Sequence, residues 1–295
     1  LIGVAGFQAD SPPATGQAKE GSEMLVRIAG FLYGVICYLI FFGTFLYAIL
    51  FVAGGNLYRV RENIIVPRSI DVTTAGTQGE SFALRLTIDI LLLGLFAIQH
   101  SVMARQWFKR AWTKAVPPLL ERSTYVLISS LLLLLLFWQW RPIGLGRVAW
   151  DVQNPAGRIA LQLLFWLGWG VVLLSTFLID HFDLFGLKQA YCYLKGTDCP
   201  PPAFRTPLFY KAVRHPLLLG FIIAFWATPR MSGGHLLFAV MTTAYMVVAI
   251  QFEERDLVRA HGEKYEQYRK QVSMLIPLGG KKGSEADVKE KPAGA

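Results

Sequence analysis

The chain has 295 residues, 54% hydrophobic and only 17% charged, with a net charge of +9. Ordinary globular chains carry about 25% charged residues and break their apolar runs with polar positions at helical spacing. Here the apolar residues come in blocks long enough to cross about 30 Å of hydrocarbon, which excludes a soluble domain and makes the positive balance a matter of cytoplasmic loop charge rather than nucleic-acid binding.

Residues 1–23 are polar and contain Pro, Gly and Ser. They lack the basic start, short apolar stretch and small-residue cleavage site of a signal peptide, and are expected to be a flexible tail. The first span covers about 25–53, with Cys37 inside it as a buried small residue. The second covers 82–103 and stops before Arg105. The third covers 123–140 and ends in Trp138 and Trp140, aromatic anchors of an interface. The fourth covers 159–180, and a polar loop follows over 181–213. Cys192 and Cys199 in that loop have no metal-type spacing around them and read as two reduced thiols.

The next apolar block is interrupted. Residues 216–227 and 235–252 are apolar, and between them stands TPRMSGG, rich in turn formers. A helical hairpin of spans five and six is expected, with Pro216 in the first turn, where its missing N–H costs little. The stretch EERDLVRAHGEKYEQYRKQV over 253–272 is charged and amphipathic and reads as a helix on the membrane surface. Residues 279–295 read as a disordered tail. The expected fold is therefore all-α: a polytopic membrane bundle of about six spans with a C-terminal amphipathic helix. It forms one domain over 24–278 between the two tails.

Lys and Arg set the orientation. With the N-terminus in the cytoplasm, the inner segments hold 21 Lys/Arg and the outer segments 7, Arg85 being the remaining one. Both termini are thus expected inside, at a bacterial inner membrane. This topology gathers polar residues at one depth. Gln99 and His100 lie at the inner end of span two, and Asp180, His181 and Asp183 at that of span four. Arg214 and His215 open span five, and Glu253 and Glu254 close span six. Ionisable groups in membrane segments usually face a bundle interior or a wet cavity, so the four stretches are expected to share a site. No local His spacing resembles a metal centre, and no metal is expected. Arg85 and Asp89, four apart, suit an intrahelical ion pair. His235 and His261 are expected to stand outside the site.

The stretch TPLFYKAVRHPLLLGFIIAFWATP, followed by QFEERDLVRAHGEKYEQYRKQVSMLIP, resembles the C-terminal half of the isoprenylcysteine carboxyl methyltransferase-like superfamily. In that superfamily an Arg-His-Pro opens a helical hairpin, a Glu-Glu closes it, and a Gly-x-x-Tyr-x-x-Tyr helix follows. Many members have Tyr where this chain has Leu218, so no hydroxyl contact is carried over there. IDHFDLFGLKQAY (179–191), QHSVMAR (99–105) and ERSTYVL (121–127) are similar to the NnrU, nurim and methanethiol S-methyltransferase branch.

The resemblance implies S-adenosylmethionine, bound in the half about 181–278. The branch implies a small thiol as substrate, methanethiol giving dimethyl sulfide. A prenylcysteine or lipid acceptor, or a non-enzymatic membrane role, stays open, and nothing in the pattern specifies an oligomeric state. On that footing Arg214 and His215, with Pro216 completing the motif, are expected to hold the cofactor carboxylate by charge-assisted bonds. Glu253 or Glu254 is expected to accept from its ribose hydroxyls or ammonium. Tyr210 is expected to stack on adenine or face the sulfonium, and Lys188, Gln189 and Tyr193 to close over it. The thiol needs a base, because the thiolate is the nucleophile. His181 oriented by Asp183 or Asp180 is expected to supply it, with His100 as the other candidate.

Overall fold

A computed structural model describes residues 14–54, 68–71, 79–143, 148–200 and 206–277. The expected tail 279–295 and residues 1–13 of the other tail lie outside them. The chain is mostly helical. The long helices are α1 (Ala14–Ala53), α2 (Phe82–Met103), α4 (Glu121–Gln139) and α5 (Pro155–Ile179), with a short α3 (Gln106–Trp112) between the second and third. The loop expected over 181–213 contains α6 (His181–Leu184), α7 (Leu187–Lys195) and a 3-10 turn, Leu208–Lys211. Then come α8 (Pro216–Trp226), α9 (Gly233–His261) and α10 (Glu263–Gln271). Helix α1 starts at Ala14, inside the stretch read as a tail.

Among the described residues, five helices are long and apolar enough to cross a membrane. The bounds of α2 coincide with those read from the sequence, because Ser81 caps its start by accepting the N–H of Leu84. Asn154 caps α5 in the same way, accepting from Ala156 and Gly157 ahead of the sequence-based start.

The expected fifth span is not a full helix. Helix α8 has 11 residues, about 16 Å at 1.5 Å per residue and roughly half of the hydrocarbon thickness. The chain leaves the helix at Ala227 and becomes β2 (Arg230–Ser232), which pairs antiparallel with β1 (Val148–Asp151). Non-helical backbone at membrane depth is tolerated only where protein satisfies it, and here it is satisfied. The Val152 N–H donates to Pro229 O, the Trp150 indole N–H to Thr228 O, and the Thr228 hydroxyl to Arg230 O, each at 2.9 Å. His235 Nε2 lies 2.9 Å from Phe225 O, the carbonyl that the end of α8 leaves without a helical partner. The ribbon escapes sequence reading because its strands have only three and four residues.

The apolar core fills the end of the bundle that carries this ribbon, with Phe51, Phe137, Trp140, Trp169, Phe225 and Phe238 in ring contact. Asp89, fully buried there, accepts the backbone N–H of Arg141 at 2.9 Å, and Arg85 donates to Pro142 O at 3.2 Å. Both residues thus tie α2 to the turn after α4. Helices α5 and α8 touch backbone to backbone. A Cβ on Gly168 would lie 2.6 Å from Ala224 N, and one on Gly220 would lie 2.8 Å from Gly168 O. Small residues at such crossings let two membrane helices approach closely.

The C-terminal part differs from expectation. Helix α9 runs on to His261 and stops at Gly262, whose φ of +55° favours glycine. Helix α10 then packs back under the Arg-His-Pro corner. Tyr265 is buried, the Tyr268 hydroxyl donates to Tyr210 O at 2.6 Å, and Val213 bridges to Ser273. The amphipathic stretch therefore covers protein, because its tyrosines find buried partners on the chain itself.

Candidate active site

The polar residues expected at one depth fall in three clusters. The first is the Arg-His-Pro corner. Arg214 Nε donates to Glu254 Oε1 at 2.7 Å, and its Nη1 donates to Val272 O at 2.6 Å and Arg269 O at 2.9 Å. Its backbone N–H donates to Ser273 O, and that of His215 to Met274 O. The guanidinium is thus engaged, through Nε and Nη1, in closing the C-terminal segment onto α9. His215 is buried, with Nε2 3.2 Å from Glu254 Oε1 and Nδ1 3.6 Å from Glu253 Oε2. Glu254 is buried between Arg214 and His215, whereas the Glu253 side chain is 55% exposed. Pro216 opens α8, buried beside them. Burial of the Tyr210 ring raises its phenol well above the usual range, so it stays neutral.

The second cluster surrounds His181. Asp180 ends α5 and caps α6, accepting the Asp183 N–H at 3.1 Å. Lys188 reaches Asp180 at 2.9 Å and Asp183 at 3.6 Å. Gln189 donates to Asp183 Oδ1 at 3.2 Å, and its own carbonyl oxygen is buried with no donor among the described residues. The aspartates were expected to orient His181. Instead its two ring nitrogens face hydroxyls: Nδ1 lies 2.8 Å from Thr176 Oγ1, and Nε2 lies 2.9 Å from the hydroxyl of Tyr38 on α1. Phe177 stacks on the imidazole at 4.3 Å, and Phe185 and Phe182 close around it. Burial holds the imidazole below its ordinary range, favouring the neutral ring. Helix α7 packs on α1, where the Tyr193 ring fills the space over Gly30. Tyr193 therefore has a packing role. Cys192 and Cys199 are free thiols 2.6 Å apart. Burial, then the hydrogen bond with Cys192, holds Cys199 above the usual thiol range.

The third cluster lies between α2, α4 and α9. The Tyr125 hydroxyl lies 2.9 Å from the His100 ring nitrogens, and Ser129 lies 3.3 Å from His100 Nδ1. Ser129 also donates to Gln99 at 3.4 Å. Tyr245 joins Ser101 at 3.2 Å, and Arg105 pairs with Asp256 at 3.1 Å. His100 thus takes its partners from α4.

Sequence reasoning missed Tyr38, Thr176 and Tyr125. The first two sit in apolar runs, where a lone hydroxyl gives little signal. The available clue is that a hydroxyl within a span needs a partner. Tyr125 lay within ERSTYVL, a stretch already singled out.

Comparison with known proteins finds relatives along most of the chain. The chain is 52% identical over 251 residues to the methanethiol S-methyltransferase of Mycobacterium tuberculosis (strain ATCC 25618 / H37Rv), covering 85% of this chain and 97% of that protein. It is 52% identical over 266 residues to that of Crocosphaera subtropica (strain ATCC 51142 / BH68), covering 90% and 98%. Nurim of Sus scrofa is 30% identical over 190 residues, covering 62% of this chain and 72% of that protein. No family model matches the chain, and no solved structure matches it.

Proposed function

Because this chain belongs to the methanethiol S-methyltransferase family, we propose that it methylates methanethiol to dimethyl sulfide with S-adenosylmethionine as donor. The observation that carries the reading is half identity with proteins of that name over nearly their whole length. We place the protein in a bacterial inner membrane, as a reading of its family, and turn the clustered end to the cytosol on the strength of the Lys/Arg asymmetry.

The residues present fit such a donor at its cationic and hydroxyl-bearing parts. Two acceptors are available: the half-exposed Glu253 carboxylate, and the buried Gln189 carbonyl oxygen, which has no donor among the described residues. Both would take hydrogen bonds from an ammonium or a ribose diol. His215, fixed by Glu254, would stand beside Glu253, and the neutral Tyr210 ring near Glu253 would offer a face to adenine or the sulfonium. Lys188, held by two aspartates, remains the nearby cation for the carboxylate. Arg214 would act one step back, by keeping Glu254 and the α10 segment in place. When bound, S-adenosylmethionine supplies an electrophilic methyl group on a sulfonium sulfur.

The protein's own task is to bring the thiol to that methyl and remove its proton. At neutral pH an alkyl thiol is mostly protonated. His181, neutral and buried, is a base in the correct state to accept a proton. Excluding water and aligning the two sulfurs supply much of the remaining rate. An apolar volatile substrate also explains a site among membrane helices.

The test is to incubate protein purified in detergent with labelled S-adenosylmethionine and methanethiol and to look for labelled dimethyl sulfide by gas chromatography. Cofactor binding without that product would reject the substrate, and absence of cofactor binding would reject the donor.

A further inference from the structure

The hydrogen bonds around His181 fix more than its position. A threonine hydroxyl has one proton to give. Thr176 gives it to Leu173 O, 2.7 Å away in its own helix. The 2.8 Å contact between Thr176 Oγ1 and His181 Nδ1 is then a bond only if Nδ1 carries the hydrogen. A neutral imidazole has a single N–H, so Nε2 is bare and accepts from Tyr38. The Tyr38 oxygen, having donated its proton, keeps lone pairs of its own.

Access points the same way. His181 is buried under Phe177, Phe182 and Phe185, while Tyr38 is half-buried. Tyr38 stands at a seam where α1 meets α5 through side chains, the Phe45–Trp169 ring pair being another contact along it. Beside the hydroxyl, Leu39, Phe42, Phe177 and Phe182 are exposed on the outside of the bundle. In a membrane that surface faces lipid, from which an apolar thiol partitions. A thiol arriving along this seam meets the Tyr38 oxygen before it meets the imidazole.

We propose that Tyr38 is a further catalytic residue, taking the substrate S–H proton while handing its own to His181 Nε2, and that Thr176 is the positioning residue that keeps Nε2 bare. The inference rests on the thiol-methyltransferase reading above. The S–H bond breaks toward Tyr38 Oη, and its electron pair stays on sulfur as the thiolate that takes the methyl group. The Tyr38 O–H breaks toward Nε2, leaving a neutral tyrosine and an imidazolium, and the imidazolium later returns its proton to water. The other titratable groups nearby are Asp180 and Asp183 on the same turn, both in contact with Lys188.

Two measurements test this. The first is nitrogen NMR of histidine-labelled, ligand-free protein, with the His181 signals assigned by their loss in His181→Gln. Protonated Nδ1 and bare Nε2 are expected in the wild type, and a mixture of tautomers in Thr176→Val but not in Thr176→Ser. Hydrogen on Nε2 in the wild type would overturn the assignment.

The second is turnover. Tyr38→Phe is expected to lower kcat with methanethiol about a hundredfold, within the usual range for general acid–base catalysis, and to leave binding of labelled S-adenosylmethionine unchanged. With methaneselenol, equal in shape but already ionised at neutral pH, the loss should shrink to about threefold or less. Equal loss with both acceptors would mean a structural role for Tyr38 and overturn the proposal, as would full activity of Tyr38→Phe. A wild-type protein inert toward methanethiol would remove the function itself, a different result from an active wild type with an active Tyr38→Phe.

Discussion

Arg214 shows how one side chain can be necessary to a site without touching what the site binds. Its charge is balanced by Glu254, and its Nη1 donates to two carbonyls at the end of the last helix and just beyond it. Removing one partner of a buried pair typically costs about 3–5 kcal/mol, because the other charge is left without compensation. Arg214→Ala is therefore expected to lose about 3 kcal/mol, read as a lower thermal midpoint in detergent, and to expose α10 to limited proteolysis. Arg214→Lys should fare little better, since an ammonium cannot serve a carboxylate and two carbonyls in a fork.

His181 gives a second prediction at the same scale. Its folded value lies below the ordinary one of about 6.5 because of burial. The unfolded chain then binds the proton more readily, so stability is intact above about pH 6.5 and falls as the pH drops below it. The thermal midpoint should decline on acidification in the wild type, and less steeply in His181→Gln. Turnover should rise through the same lowered value and be flat across neutrality. A profile with a rising limb above pH 7 would point to a different base.

At the scale of the element, the crossing of α5 and α8 is the joint on which the Arg-His-Pro corner hangs. Gly168 and Gly220 leave no room for a methyl group against the opposing backbone. Overpacking of this kind typically costs about 1–3 kcal/mol. Gly220→Ala is expected to lower the thermal midpoint by that order and to weaken binding of labelled S-adenosylmethionine, because the start of α8 moves with it. An unchanged affinity would separate the corner from the crossing.

The elements also show what the sequence could and could not tell. The long apolar helices were legible in number and place, since length and hydropathy decide them, but only α2 to the residue, where Ser81 caps its start. Helix α8 and its strand continuation were read as a helical limb, because apolar character alone does not distinguish an 11-residue helix from a longer one. The packing of 263–271 on protein through Tyr265 and Tyr268 was not legible for a related reason: amphipathicity says that one face is covered, not by what. Of the site, the meeting of Arg214, His215, Glu253 and Glu254 was legible from motif and topology together. The partners of His181 were not, because a hydroxyl reaching across from α1 leaves no local pattern.

For the whole molecule, the basic, polar end and the aromatic, ribbon-bearing end are expected on opposite sides of the bilayer. With native cysteines replaced, an impermeant maleimide added to intact cells should label Ser232→Cys and spare Lys211→Cys, and inside-out vesicles should give the reverse. The Arg214–Glu254 and His215–Glu254 bonds already require the corner and the double glutamate to share one side. Labelling that separated them would contradict both the bonds and the function.

The backbone bonds from Arg214 and His215 to Ser273 and Met274 also set the order in which the protein can mature. During synthesis helices α1 to α9 leave the ribosome before those two carbonyls do. A nascent chain can thus complete its insertion into the bilayer while its cytosolic corner is still open. Closing the corner then requires the short segment around Ser273 and Met274, and an arrested polypeptide ending just short of Ser273 is expected to be inserted yet unclasped.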